Sequence, residues 1–178
     1  MEQVQQQETK HGVYFANLEA YNQGRMIGGW LYPLDYNTLE GFIEAIKQVT
    51  RNADEVAVHD YDDFPNMGEY PGHEELYDMI NAVNDSHLDN EILFKFMANQ
   101  HDYSWELVLE AEDLYMTTCD NFKDFAYDLA DQDIEINVNK EAQQFVMNNF
   151  DYEGYARDLQ HCYYVIDLDN CDVAIFSQ

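Results

Sequence analysis

Thirty-six Asp and Glu side chains set against only eight Lys and Arg constrain the fold of this chain more than any motif does. Compaction brings like charges together, and two of them about 7 Å apart in water repel by roughly 0.6 kcal/mol, less with salt. Native stability is only about 5–15 kcal/mol. The acids must therefore lie outward, and an imbalance kept against that repulsion is expected to have a use. The chain is nonetheless a folding sequence: it is 46% hydrophobic and 15% aromatic with three prolines, whereas disordered acidic segments are poor in aromatics. Its charged fraction of 25% is ordinary for globular proteins, so the anomaly is one of sign.

The bias is uneven. Residues 1–51 hold 4 basic and 6 acidic residues, net −2, and the remainder holds 4 basic and 30 acidic, net −26, which together make the total of −28. General solubility or a salt-rich habitat is the bland explanation of such a charge; an acidic surface built for a basic partner is the specific one.

A chain of 178 residues suffices for one ordinary core or for two or three small ones stacked along an axis. Cys119, Cys162 and Cys171 form an odd set without a CxxC pair, which suits reduced thiols in a cytoplasm. No apolar run approaches the roughly 18 residues of a membrane span. The start MEQVQQQETK lacks an apolar signal segment, so a soluble, cytoplasmic protein is expected.

Periodicity predicts an α+β chain of three small domains in an elongated arrangement. Residues 1–12 read as a flexible polar arm. In an N-terminal α+β domain, residues 13–70, the runs VYFANL and MIGGWLY flank Asn22-Gln23-Gly24 as a hairpin. Asn37 and Glu40 have capping-box spacing ahead of Leu39, Phe42, Ile43 and Ile46 on one helical face. Val56-Ala57-Val58 supplies a third strand.

A central helical domain, residues 71–133, has four apolar faces. They are Leu76, Met79, Ile80 and Val83; Ile92, Leu93, Phe96 and Met97; Leu107, Val108, Ala111, Leu114 and Tyr115; and Phe122, Phe125, Ala126 and Leu129. In a C-terminal α+β domain, residues 134–178, Ile134, Ile136 and Val138 alternate like a strand, 140–160 reads as one or two helices, and YYVIDL with VAIF forms a hairpin about Asp169-Asn170.

At 100° per residue the acids fall opposite these apolar faces. Glu74, Asp78 and Asp85 form one outward stripe; Asp102, Glu106, Glu110 and Asp113 a second; Asp120, Asp124, Asp128 and Asp131 a third. Any amphipathic helix has a charged outer face, but ordinary ones mix Lys with Glu, because opposite charges at i,i+4 stabilise by roughly 0.2–0.5 kcal/mol and like charges destabilise similarly. Residues 73–87 and 102–117 contain no Lys or Arg. Asp128, Asp131 and Asp133 read as lying near a helix C-terminus, the unfavourable end for negative charge. Helix stability alone does not account for them. Duplex DNA carries about one charge per 1.7 Å, so 28 charges match roughly 48 Å of duplex, against roughly 40 Å for a compact chain of this length.

Other chemistries fit poorly. DYDDFPNMGEY and DLDNCDV resemble calcium loops, but Phe64 and Pro65 in the first and Asp172 in the second stand where an EF-hand needs a ligand or a glycine. His59-Asp60 and His161-Cys162 lack a second Cys or His at zinc spacing. No phosphate loop, GxSxG or HExxH occurs. Neither an enzyme nor a cofactor or metal site is expected.

Four segments in order, LEAYNQGRMIGGWL at 18–31, VHDYDDF at 58–64, NFKDFAYDLAD at 121–131 and YEGYARDL at 152–159, resemble the ArdA antirestriction family over roughly residues 13–178. The resemblance implies three small domains in a curved chain, a homodimer, and a surface imitating bent B-form DNA. It also implies carriage on bacterial mobile genetic elements. The implied partner is a type I restriction-modification enzyme, through its methyltransferase and specificity subunits, with no direct nucleic-acid or membrane binding. It places the antirestriction region on 121–131, with Asp124 and Asp128 as mimic carboxylates and Lys123 as a departure from the expected acid. For the dimer interface, the apolar strands of the C-terminal domain suggest Tyr164, Ile166, Val173 and Ile175, where a sheet edge could otherwise stay uncovered. The competing reading is an acidic module that binds a basic, nucleic-acid-associated protein without imitating DNA; competition with duplex separates the two.

Overall fold

The computed structural model describes residues 11–178 and divides them into two compact units, 11–86 with 102–108, and 87–101 with 109–178. In the first, β1 (Gly12–Asn17) runs into the short α1 (Leu18–Asn22) and returns as β2 (Gly28–Leu31). A 3-10 turn at Pro33–Asp35 leads to α2 (Leu39–Thr50), β3 (Val56–Asp62) and α3 (His73–Asp85). The sheet is antiparallel with order β2-β1-β3. The expected hairpin is thus present, but α1 fills its connection, started by the Asn17 side chain accepting from Ala20 N at 2.8 Å. Residue 28 must be glycine, because a Cβ there would lie 2.3 Å from the Phe15 carbonyl oxygen.

Helix α2 starts one residue later than its capping-box spacing suggests. Thr38, not Asn37, accepts from Gly41 N at 3.1 Å. Phe42 and Ile46 are buried with Val13 and Phe15 of β1, and the Phe15 and Phe42 rings meet edge-on at 5.7 Å. Leu76, Met79, Ile80 and Val83 give α3 its buried face, and the Tyr77 hydroxyl donates to Tyr36 O at 2.9 Å. A fully buried side chain of this size contributes about 1.5–3 kcal/mol, so this face ties α3 to its unit.

The second unit contains α4 (Asn90–Gln100), the later part of α5 (Trp105–Leu114), β4 (Tyr115–Cys119), α6 (Phe122–Asn137), α7 (Lys140–Asn149) and α8 (Tyr152–Leu159). A 3-10 turn at Gln160–Cys162 then precedes β5 (Tyr163–Asp167) and β6 (Val173–Ser177). The antiparallel order is β4-β6-β5. Phe96 of α4 stacks on Phe176 of β6, centroids 4.5 Å apart, and both are fully buried. Residues 71–133 are accordingly shared between the two units, α3 with the first and α4 and α6 with the second.

Three sequence expectations are corrected here. Ile134, Ile136 and Val138 do not form a strand: α6 continues through Asn137, because Ala126, Ala130 and Ile134 repeat at i,i+4 and are all buried, while Ile136 is 79% exposed. Tyr115 does not extend the helical face of α5 but opens β4, whose Thr117 and Thr118 pair with Ile175 and Ala174. Of the expected arm, residues 1–10 lie outside the described residues, whereas His11 and Gly12 are buried and Gly12 begins β1. Among the described residues, no helix is long and apolar enough to cross a membrane.

Candidate protein-binding surface

In the first unit the buried face of α3 fixes where its acids go. Glu74, Asp78 and Asp85 are exposed, and so is Glu75. Glu74 and Glu75 lie in the first turn, where the helix dipole favours them, above an N-cap, Gly72, that makes no side-chain bond. His73 beside them faces inward, its ring edge-on to Phe15 at 5.8 Å. Burial holds its pKa below the ordinary imidazole value.

Asp102 and Glu106 are exposed as well. An open cleft of about 590 Å³ is lined by Gly72, Glu74, Glu75, Asp78, Trp105 and Glu106, which brings acids of two sequence-predicted stripes together. Glu75 and Trp105 were not foreseen as part of it. Glu75 is signalled only by adjacency to Glu74, and Trp105 only by its position at the start of α5.

In the second unit Glu110, Asp113, Asp120, Asp124 and Asp128 are exposed. Asp124 also helps build the start of α6: Asn121 Oδ1 accepts from Asp124 N at 3.0 Å while Asn121 Nδ2 donates to the Asp124 carboxylate at 2.8 Å. Asp131 differs from the rest, being half-buried and accepting a hydrogen bond from the Tyr152 hydroxyl of α8. That bond holds the Tyr152 phenol above its usual pKa. Because α6 runs to Asn137, Asp128 and Asp131 sit in its interior, and Asp133 and Glu135 are the acids nearest its C-terminal end.

Lys123 interrupts the acids of α6 in sequence, but its ammonium is engaged by Glu153 of α8 and lies 5.3 Å from the Tyr127 ring centre. The hydrogen bond between them raises the lysine pKa and lowers that of the glutamate. Ion pairs between described residues include Lys47 with Glu44, Lys95 with Glu91 and Asp169, Lys123 with Glu153, and Arg157 with Asp158, and His87 Nδ1 lies 3.1 Å from Glu112 Oε1. None of the eleven stripe carboxylates belongs to this set.

The residues suggested for a dimer interface are placed differently. β6 is the middle strand, and Ile166, Val173 and Ile175 are buried in the unit's own core. Tyr164 is half-buried, edge-on to Phe96 at 6.3 Å. The outer strands of this sheet are β4 and β5.

Two small α+β units, with exposed carboxylates on the helices of each, define an acidic α+β protein. The chain belongs to the ArdA family of antirestriction proteins, whose family model, described as "Antirestriction protein (ArdA)", matches residues 13–171. No curated protein matches it in a sequence comparison.

Proposed function

We propose that this chain inhibits type I restriction-modification enzymes by imitating duplex DNA, its carboxylates occupying the groove that the methyltransferase and specificity subunits use for DNA. The observation that carries this reading is the state of the eleven stripe acids: ten are exposed, and none is paired with a described Lys or Arg. Unpaired surface acids repel one another and gain only when a cationic partner arrives, as phosphates do. Glu74 and Asp78 within α3, and Asp124 and Asp128 within α6, stand four residues apart, about one helical turn, and so form short rows of anions, whereas Asp102 and Asp120 precede α5 and α6.

The protein then acts by binding, as a homodimer in the bacterial cytoplasm, with no chemistry of its own. The test is competition on one purified type I methyltransferase. The chain should displace labelled duplex in proportion to its own binding. A ternary complex holding enzyme, duplex and chain together would reject mimicry and favour an acidic module that binds elsewhere on the enzyme.

A further inference from the structure

The segment VHDYDDF at 58–64 takes no part in the helical stripes, yet the fold treats His59 specially. In the pairing of β1 with β3, Tyr14 faces Asp60 and Phe15 faces Val58, so His59 is the extra residue of a β-bulge. Bulges redirect side chains and concentrate beside functional sites. The exposed His59 ring stands edge-on to Tyr21 of α1, centroids 4.7 Å apart, and Tyr21 is 50% exposed. Both rings line an open cleft of about 620 Å³ that also includes Asp60, Tyr61, Phe64 and Glu69.

This cleft is assembled before anything binds. Val58 N donates to Glu69 O at 2.8 Å, the Tyr61 hydroxyl to Gly68 O at 2.7 Å, and Gly68 N to Asn66 Oδ1 at 2.7 Å. His11 Nδ1 bonds the Asp63 carbonyl oxygen, and Phe64 is buried beneath. Burial pushes the Tyr61 phenol up to about 12, so it remains a protonated donor to Gly68. A loop held in this way loses little freedom when a ligand arrives.

We propose that the cleft accepts an arginine side chain of the target enzyme, the guanidinium lying against Tyr21 and His59 and donating to the carboxylates of Asp60 and Glu69. The identity of the target rests on the reading under Proposed function; the choice of arginine does not. A guanidinium is flat, weakly hydrated and able to stack on a ring while its N–H fork meets carboxylates, whereas an ammonium is a compact, strongly hydrated point charge. Anions are disfavoured by the two carboxylates and the net charge of −28. In a DNA groove some cations bind phosphate and some arginines read base edges. The helical stripes suit the first kind, and a concave aromatic and acidic cleft suits the second.

The experiment titrates the full chain with N-acetyl-arginine amide and, separately, N-acetyl-lysine amide, followed by the backbone amide resonances of Tyr21, His59 and Glu69. Arginine should give saturable shifts at these positions, several-fold tighter than lysine, lost in Tyr21→Ala and retained in Tyr21→Phe. Equal, unsaturable shifts spread over all the acidic helices would overturn the proposal. On the methyltransferase, Tyr21→Ala should weaken binding by about two- to fivefold and leave the salt dependence unchanged, since no phosphate-like contact is removed. If Tyr21→Ala binds the enzyme like the native chain while that chain still displaces duplex, the cleft is not used and mimicry stands. If the native chain fails to displace duplex, the mimicry reading falls and the assignment of the cleft to this target falls with it.

Discussion

The two units carry nearly the same charge and manage it differently. The described first unit has 16 acidic and 3 basic residues, net −13, and the second has 18 and 4, net −14. Each is built around a three-stranded antiparallel sheet. In the first, the one Lys or Arg ion pair among described residues is local, Lys47 with Glu44 at 3.8 Å one turn away, while Arg51 closes α2 in the left-handed conformation. In the second, Lys95 of α4 reaches Asp169 at 2.5 Å and Glu91 at 3.3 Å and also donates to Asp167 O at 3.0 Å. Lys123 ties α6 to Glu153 of α8. At nearly equal charge, two cations of the second unit, Lys95 and Lys123, join elements far apart in sequence, whereas the first unit's Lys47 pairs within its own helix.

Both tryptophans, Trp30 and Trp105, belong to the first unit, so tryptophan fluorescence follows that unit while circular dichroism follows both. The largest expected effect uses this division. Phe42→Ala, at a fully buried ring, should cost about 3–5 kcal/mol and shift the fluorescence transition far ahead of the remaining dichroism transition. Phe176→Ala should do the converse. Coincident shifts in both variants would show that the units melt as one and would break the comparison.

Next in size is binding. Neutralising Glu74, Asp78 and Glu106 together, to Gln, Asn and Gln, removes three exposed contacts at about 0.2–1 kcal/mol each, roughly tenfold in affinity for the enzyme. The matching triple in the second unit, Glu110, Asp113 and Asp128, should cost about as much. A large loss from one triple alone would assign the binding surface to one unit. Loss of all binding from Asp124→Asn alone, with the fold intact, would instead indicate a single hot spot.

Lys95→Met leaves Glu91 and Asp169 facing each other without their cation. It should lower the dichroism transition of the second unit, whereas Lys47→Met should barely move the fluorescence transition of the first. The hydrogen bond that Lys95 donates to Asp169, aided by Glu91, holds the Lys95 pKa above its ordinary value, in keeping with the difference. Equal effects of the two substitutions would remove the distinction between long-range and local ion pairs.

The smallest effect is one of pH. His73 has a folded pKa depressed by burial, so folding favours its neutral form. Its contribution is fully present above the unfolded value near 6.5 and is lost as pH falls through the folded value. Fluorescence-monitored stability of the first unit should therefore decline over that window, and less steeply in His73→Gln. An unchanged slope would place the acid sensitivity elsewhere.

Much of the first unit was legible in sequence because its signals are local: apolar runs about a turn, a helical period from Leu39, and a short β-branched run at Val56. Its errors are the short helix α1 inside the hairpin connection and shifts of one residue at Thr38 and Gly12. The second unit was less legible because its strand β4 follows Leu114 with no breaking residue and is set by pairing with β6, far along the chain. The tail of α6 happens to alternate, and only the buried i,i+4 series ending at Ile134 decides for helix.

Carboxylate exposure was readable because amphipathic helices fix which face is outward. Asp131 escaped that rule through a tertiary partner, Tyr152. Of the residues suggested for a dimer interface, the burial of Val173 and Ile175 was not readable locally, since their strand β6 becomes a middle strand only once β4 is placed beside it.

The most direct measurement of the central claim is a pair of salt titrations, chain and duplex, each against the same methyltransferase between low and moderate ionic strength. If carboxylates stand in for phosphates, both complexes should weaken as salt rises. Carboxylates on a folded surface lie on a broader, lower-potential body than the duplex and release fewer counterions, so the chain should show the shallower slope and gain on DNA as salt increases. Binding of the chain that is insensitive to salt, or that persists unchanged on enzyme saturated with duplex, would contradict DNA mimicry.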